Sequence, residues 1–208
     1  MILNSQEIRE RCSPNNDHPL ITPFDEEKLQ GASYDLSIGS SAHIFSDNVK
    51  TISLDDEAIL EQLYEEVDLL SKPFLLKPNQ YVLVTVQESL FIPSNLVAHI
   101  RPRTRFTRLG IKVSPQHCNP GYNGILQLGL HNVSPNSIRI PSGIRVAQVV
   151  FETMSQPCDK PYSKKENAAY QGESQFIGPK FDMNELSPEA RTLYQSILSG
   201  EVLHNGKS

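Results

Sequence analysis

The segment Asn119–Asn132, NPGYNGILQLGLHN, decides the fold class. From Ile125 it alternates with period two, placing Leu126, Leu128 and Leu130 on one face and Ile125, Gln127, Gly129 and His131 on the other. That is the pattern of a half-buried β-strand, entered here through an Asn-Pro-Gly turn. Glycine inside a strand is costly, and it marks a bulge or a place where something approaches the backbone closely. Gly129 is the residue that needs a reason.

Outward from this strand the texture stays β for some eighty residues. FLLKPNQYVLVTVQESLFIP, LVAHIRP, LGIKVSP, SIRIPSG and RVAQVVFE are runs rich in Val, Ile and Leu, punctuated by Pro, Asn, Ser and Gly. Short strands separated by roughly 8–12 residues belong to a sandwich, jelly roll or closed barrel, and nothing alternates strand with helix as a doubly wound fold would. Upstream, GASYDLSIGSSAHIF from Gly31 alternates at Tyr34, Leu36 and Ile38, as a strand pair or one bent strand. The expected fold is mainly β, a distorted jelly roll or β-barrel with short helices at both ends.

Those helices carry their own signals. Asn4 and Glu7 form a capping-box pattern opening a helix to about Cys12. Ser187 and Pro188 open a terminal helix that Gly200 closes, with Leu193, Ile197 and Leu198 on its inner side. Within residues 55–70, Ile59, Leu60, Leu63, Val67 and Leu70 recur at three and four, which predicts an acidic amphipathic helix. The polar YSKKENAAYQGESQFIGPKF predicts an ordered tail or flap. The expected division is a β domain over 1–181, carrying the 55–70 helix as an insertion, and a helical extension over 182–208.

The bulk properties exclude several function classes. At 208 residues with 38% hydrophobics and 21% charged residues, the chain is long enough for one sizeable core. A net charge of −5 opposes general binding to nucleic acid or acidic membranes. No apolar run approaches the roughly 18 residues of a membrane span, and MILNSQEIRERC lacks a signal-peptide core. Three scattered cysteines, Cys12, Cys118 and Cys158, suit a reducing compartment, so a cytoplasmic location is expected.

Against this acidic background, RPRTRFTRLGIK (Arg101–Lys112) holds five cations and no acid. In extended form Arg101, Arg103 and Arg105 project to one side, with Phe106 and Leu109 as anchors. Arginine forks suit phosphate oxygens; a solvated basic edge strand is the alternative. A zinc deaminase would need H-x-E with P-C-x-x-C, but Pro157-Cys158 is followed by no second cysteine. There is no P-loop and no G-x-G-x-x-G. No protein-held metal is expected, although His99, His117 and His131 flank the β region.

Taken in order, RPRTRFTRLG, NPGYNG, LQLGLHN, GIRVAQVVFE and YQGE resemble the dCTP deaminase family of the dUTPase-like superfamily, over about Gly31 to Gln171. The resemblance implies a distorted β-barrel, a homotrimer with sites between subunits, and zinc-free hydrolysis of dCTP to dUTP and ammonia, with Mg²⁺ accompanying the triphosphate. Arg103, Thr104, Arg105 and Arg108 match the family's R-S-S-x-x-R, in which the first residues hold the triphosphate and the last arginine supports the reacting base. Thr104 and Arg108 are thus the implied participants in the reaction. Asn119, Tyr122, Gln127, Gln148, Tyr162, Tyr170 and Gln171 fall among the implied ligand-binding positions, with Tyr122 beneath the deoxyribose.

Four departures are concentrated at chemically important positions. Gly129 stands where the family has the glutamate that activates water, and Asn119 where the superfamily has an aspartate. Ala169 replaces a lysine, and Glu173 replaces a glutamine of the closing segment. His131 has a suitable pKa range for a substitute base, but strand spacing limits its reach. Two readings follow: a divergent nucleotide hydrolase with another base, or a catalytically silent nucleotide-binding or assembly protein. A nucleic-acid partner is disfavoured.

Overall fold

A computed structural model of the chain describes residues 1–52, 60–180 and 186–199, without the side chain of Leu198. The first part runs α1 (Ser5–Arg11), β1 (Ile21–Thr22), β2 (Leu29–Gln30), β3 (Ser33–Phe45), β4 (Tyr64–Asp68), β5 (Phe74–Leu76) and β6 (Tyr81–Phe91). Then come β7 (Leu96–Pro102), α2 (Thr104–Arg108), β8 (Ile111–Val113), β9 (Gln116–Cys118) and β10 (Asn123–Asn132). The last elements are β11 (Ile138–Ile140), β12 (Arg145–Thr153) and α3 (Pro188–Leu198). Among the described residues no helix is long and apolar enough to cross a membrane.

The architecture is mainly β. Ten strands form one curled sheet in the order β8-β10-β6-β3-β12-β7-β9, with β1 on β6 and β2 and β4 on β3. Strands β5 and β11 pair separately. The leucine row of β10 is buried as its alternation requires, and it meets Tyr34, Leu36, Ile38, Val82, Val84 and Phe151 in one core. Strand β3 is a single strand whose pairing with β6 shifts between Ile38 and Ala42. Near that irregularity the wholly buried Glu88 carboxylate accepts from Ser37 N (3.0 Å) and from Lys28 Nζ (2.7 Å). A buried charge is tolerated when it is paired and hydrogen-bonded in this way.

Helix α1 has the full capping box: Glu7 N donates to Asn4 Oδ1 and Asn4 N donates to Glu7 Oε2. Three expectations are corrected. The helix expected over 55–70 is met only at Leu60–Glu61; Tyr64–Asp68 is strand β4, paired with Ser41–Phe45, and residues 53–59 lie outside the described residues. Its apolar spacing misled because Leu60, Leu63 and Leu69 turn into the core around a short edge strand, while Leu70 is exposed. Strand pairing overrode the local period. The arginine stretch is not extended either: after Pro102 it coils into α2, burying Phe106 but leaving Leu109 exposed. Finally, Ser187 does cap α3, but Leu193 and Ile197 are exposed rather than packed; Gly200 lies outside the described residues.

Candidate functional site

Strand β9, the Asn119–Tyr122 turn and β10 form an arm, and the segment after β12 folds back over it. The turn has no room for a side chain at Gly121: its φ is +85°, and an added Cβ would lie 2.6 Å from Pro161 Cβ. The returning tail is stitched to the arm by backbone bonds, Tyr162 N to Pro120 O (2.7 Å), Gly172 N to Asn123 O (2.8 Å) and Ile125 N to Glu173 O (2.8 Å). Further along, Phe176 stacks on His43 with ring centroids 3.7 Å apart and meets Tyr64 edge-on.

Between arm and tail lies a cavity of about 480 Å³. Its walls are aromatic and apolar, from Tyr64, Tyr122, Tyr162, Tyr170, Phe176, Leu83, Leu126 and Ile177. Its polar groups are Gln116, His117, Asn119, Gln127 and Glu173. Among the described residues no lysine or arginine lines it. Such a space suits an uncharged, flat, partly polar group such as a nucleobase and its sugar.

Glu173 is its one carboxylate among the described residues. Only 5% exposed, it accepts at Oε1 from Gln127 Nε2 (3.4 Å) and Ile177 N (3.1 Å). Burial raises its carboxyl above the usual range, against the two hydrogen bonds and Lys180, which lower it. Gln127 is fixed in turn: Ser41 Oγ donates to Thr85 Oγ1 (3.1 Å), Thr85 Oγ1 donates to Gln127 Oε1 (2.8 Å), and Gln116 Nε2 donates to Gln127 O. The tyrosine hydroxyls are tied to backbone. Tyr122 Oη donates to Ile125 O (3.3 Å), Tyr162 Oη accepts from Tyr170 N (3.2 Å) and Tyr170 Oη accepts from Lys180 N (3.3 Å).

The structure therefore brings together Asn119, Tyr122, Gln127, Tyr162 and Tyr170. Gln171 is beside them as a clasp, accepting from Asn123 N and donating to Gly121 O (3.3 and 3.2 Å). The arginine group sits elsewhere. Thr104, Arg105 and Arg108 are exposed on α2, while Arg103 pairs with the buried Asp35, which Gln30 Nε2 (3.2 Å) and Arg145 Nη1 (3.7 Å) also approach. Gln148, paired opposite Asp35 in the sheet, accepts from Ser33 Oγ (3.0 Å). None of these lines the cavity.

Gly129 has its reason. Its N–H donates to Ser114 Oγ (2.8 Å), and the space above it is filled by Tyr81, whose Oη lies 2.3 Å from where a Cβ would stand. With His131, Lys112 and Ser114 it lines a separate recess. His99 and His117 lie together, ring centroids 5.1 Å apart, and no three His, Cys, Asp or Glu residues converge as metal ligands among the described residues. Sequence reasoning missed Gln116, Tyr64 and Phe176. Tyr64 had been assigned to a helix, and Phe176 lies in a tail without periodicity.

The dCTP deaminase-like family matches residues 2–154. The dCTP deaminase of Natronomonas pharaonis is 31% identical over 180 residues, spanning 84% of this chain and 91% of that protein. The dUMP-forming dCTP deaminase of Persephonella marina is 29% identical over 174 residues, spanning 83% and 93%. The crystal structure of the 2'-deoxycytidine 5'-triphosphate deaminase from Agrobacterium tumefaciens is similar with a TM-score of 0.59 and 25% identity. That likeness covers 74% of this chain and 48% of the Agrobacterium chain, so this chain spans about half its length.

Proposed function

Because the chain belongs to the dCTP deaminase-like family, we propose that it binds a pyrimidine deoxynucleoside triphosphate, dCTP first among them. The observation that carries this reading is the aromatic-walled cavity of about 480 Å³ formed by the arm and the returning tail, which among the described residues has no cation in its lining. Base and deoxyribose enter there, against Tyr122 and Gln127, and the phosphates stay outside. Arg105 and Arg108, exposed on α2, are the complementary anion site, with Arg103 and Thr104 beside them. Because one chain keeps cavity and arginines apart, a homotrimer in which α2 of one subunit serves the cavity of another is the assembly we propose. Mg²⁺ is assigned to the triphosphate oxygens, and the protein is placed in the cytoplasm.

Thermal unfolding with dCTP, dUTP, dTTP and deoxycytidine, each with Mg²⁺, tests the reading. Saturation at a hundredfold excess over Kd stabilises by about 2.7 kcal/mol, so a deoxynucleoside triphosphate should raise the Tm by several degrees and deoxycytidine by less. Unchanged melting with every nucleotide would discard the proposal. The reaction in the relatives' names, deamination of dCTP, is the activity to assay alongside. One observation favours a silent binding protein: Tyr81 fills the seat at Gly129, where the family carboxylate would stand. Stabilisation by dCTP without ammonia release would select that second reading.

A further inference from the structure

The carboxylate in the cavity, Glu173, is a group able to transfer a proton. A glutamine at position 173 could hydrogen-bond to a ligand but could not exchange a proton; Glu173 can do both. Of the cavity's other ionisable groups, Tyr64 and Cys118 are pushed up to about 12 by burial, and Tyr122 is pushed up as well. His117 is exposed at the outer edge of the arm. That leaves Glu173, buried and with its carboxyl raised above the usual range, as the carboxylate inside the cavity that can take up and release a proton.

We propose that Glu173 is the acid–base residue of this cavity, acting on the 4-amino group of a cytosine nucleotide in place of the carboxylate absent at Gly129; this rests on the nucleotide-binding reading above. The geometry supports it at each atom. Oε1 accepts from Gln127 Nε2 and Ile177 N, and among the described residues no donor is found for Oε2, which leaves that oxygen open to take a proton. The Ser41–Thr85 chain fixes Gln127, and Gln127 with Ile177 N holds Oε1 in place, a positioning that acid–base chemistry requires.

The step balances without a metal or a redox partner. Water adds to C4 as Oε2 takes its proton and the C4–N3 π pair moves to N3, which Oε2 then protonates. The remaining hydroxyl proton passes through Oε2 to the amine as C4=O forms and the C4–N4 bond breaks, releasing ammonia. Burial holds the Glu173 carboxyl above the usual range, as a shuttle working near neutral pH needs. The titratable groups that line the cavity with it are Cys118 and Tyr122 from the arm, with the exposed His117 at its edge, Tyr64 of β4, and Tyr162 and Tyr170 from the tail; Lys180 acts on its charge from the tail.

The test uses the full chain with dCTP and Mg²⁺, following ammonia release, nucleotide affinity and thermal stability in wild type, Glu173→Gln and Glu173→Asp. Glu173→Gln should keep dCTP affinity within about threefold and lose turnover by about 100-fold or more. It should also melt higher at neutral pH, because it removes a buried charge; a purely structural Glu173 would give the opposite shift. Glu173→Asp should retain part of the rate, with the acid limb of the kcat/KM profile preserved, whereas Glu173→Gln should lose that limb. Turnover within a few-fold of wild type in a folded Glu173→Gln would overturn the assignment and leave nucleotide binding intact. Wild-type protein that binds dCTP but releases no ammonia would overturn it equally. Absence of dCTP binding would remove both readings together.

Discussion

Gly129 is occupied space rather than empty space. Strand β10 pairs with β6 so that Gly129 faces Leu83 and His131 faces Tyr81, and from that diagonal position the tyrosine ring lies back over the glycine. A methyl group at 129 would displace Tyr81 Oη, Cε2 and Cζ, all within 2.8 Å of the added atom. Overpacking of this kind costs about 1–3 kcal/mol. Gly129→Ala should therefore destabilise by that order in urea unfolding, and by less than half as much in a Tyr81→Ala background. Equal costs in the two backgrounds would show that Tyr81 is not what excludes the side chain. The same geometry applies to a longer side chain: Gly129→Glu must first move Tyr81.

At the scale of elements, the returning tail is held by a contact that responds to pH. His43 on β3 is 4% exposed, its Nε2 has no hydrogen-bond partner among the described residues, and Phe176 covers it. Burial lowers its pKa, and Glu66, directly opposite on β4, only partly opposes this. The unfolded chain then binds the proton first. His43 contributes stability fully above its ordinary pKa near 6.5, and that contribution is lost as the pH falls through the lowered folded value. His43→Phe keeps a ring under Phe176 and removes the proton site. Its stability advantage over wild type should grow as the pH falls from about 7 to 5; a constant difference would sink the assignment.

This scale also shows what the sequence could and could not reveal. Strand β10 and the capped α1 were legible because each has a local cause: alternation in one, a Ser/Asn-type cap with its Glu in the other. Strand β4 was not, because an edge strand with two exposed glutamates owes its form to β3 and has no strong period of its own. The cavity was legible in half. Asn119, Tyr122 and Gln127 lie on a periodic arm, whereas Phe176 and Glu173 reach it through tail bonds made by backbone, which leave no trace in side-chain pattern.

For the whole molecule, the separation of cavity from arginines makes a prediction about subunits. In the proposed trimer, a site uses Glu173 and Tyr122 from one chain and Arg105 and Arg108 from another. Chains carrying Arg105→Glu with Arg108→Ala keep the cavity and lose the anion site; chains carrying Tyr122→Ala do the reverse. Each alone should fail to be stabilised by dCTP. Unfolded together in equal amounts and refolded, they should recover binding at about one site in four, the share expected for random pairing of neighbours in a ring. Mixing the folded variants without refolding should recover none if the trimer exchanges slowly. If the refolded mixture stays as inert as its parents, the arginines and the cavity serve each other within one chain or not at all, and the arginines belong to a different partner. Recovery near the random share would place the phosphate site across the subunit boundary, where no single chain could have displayed it.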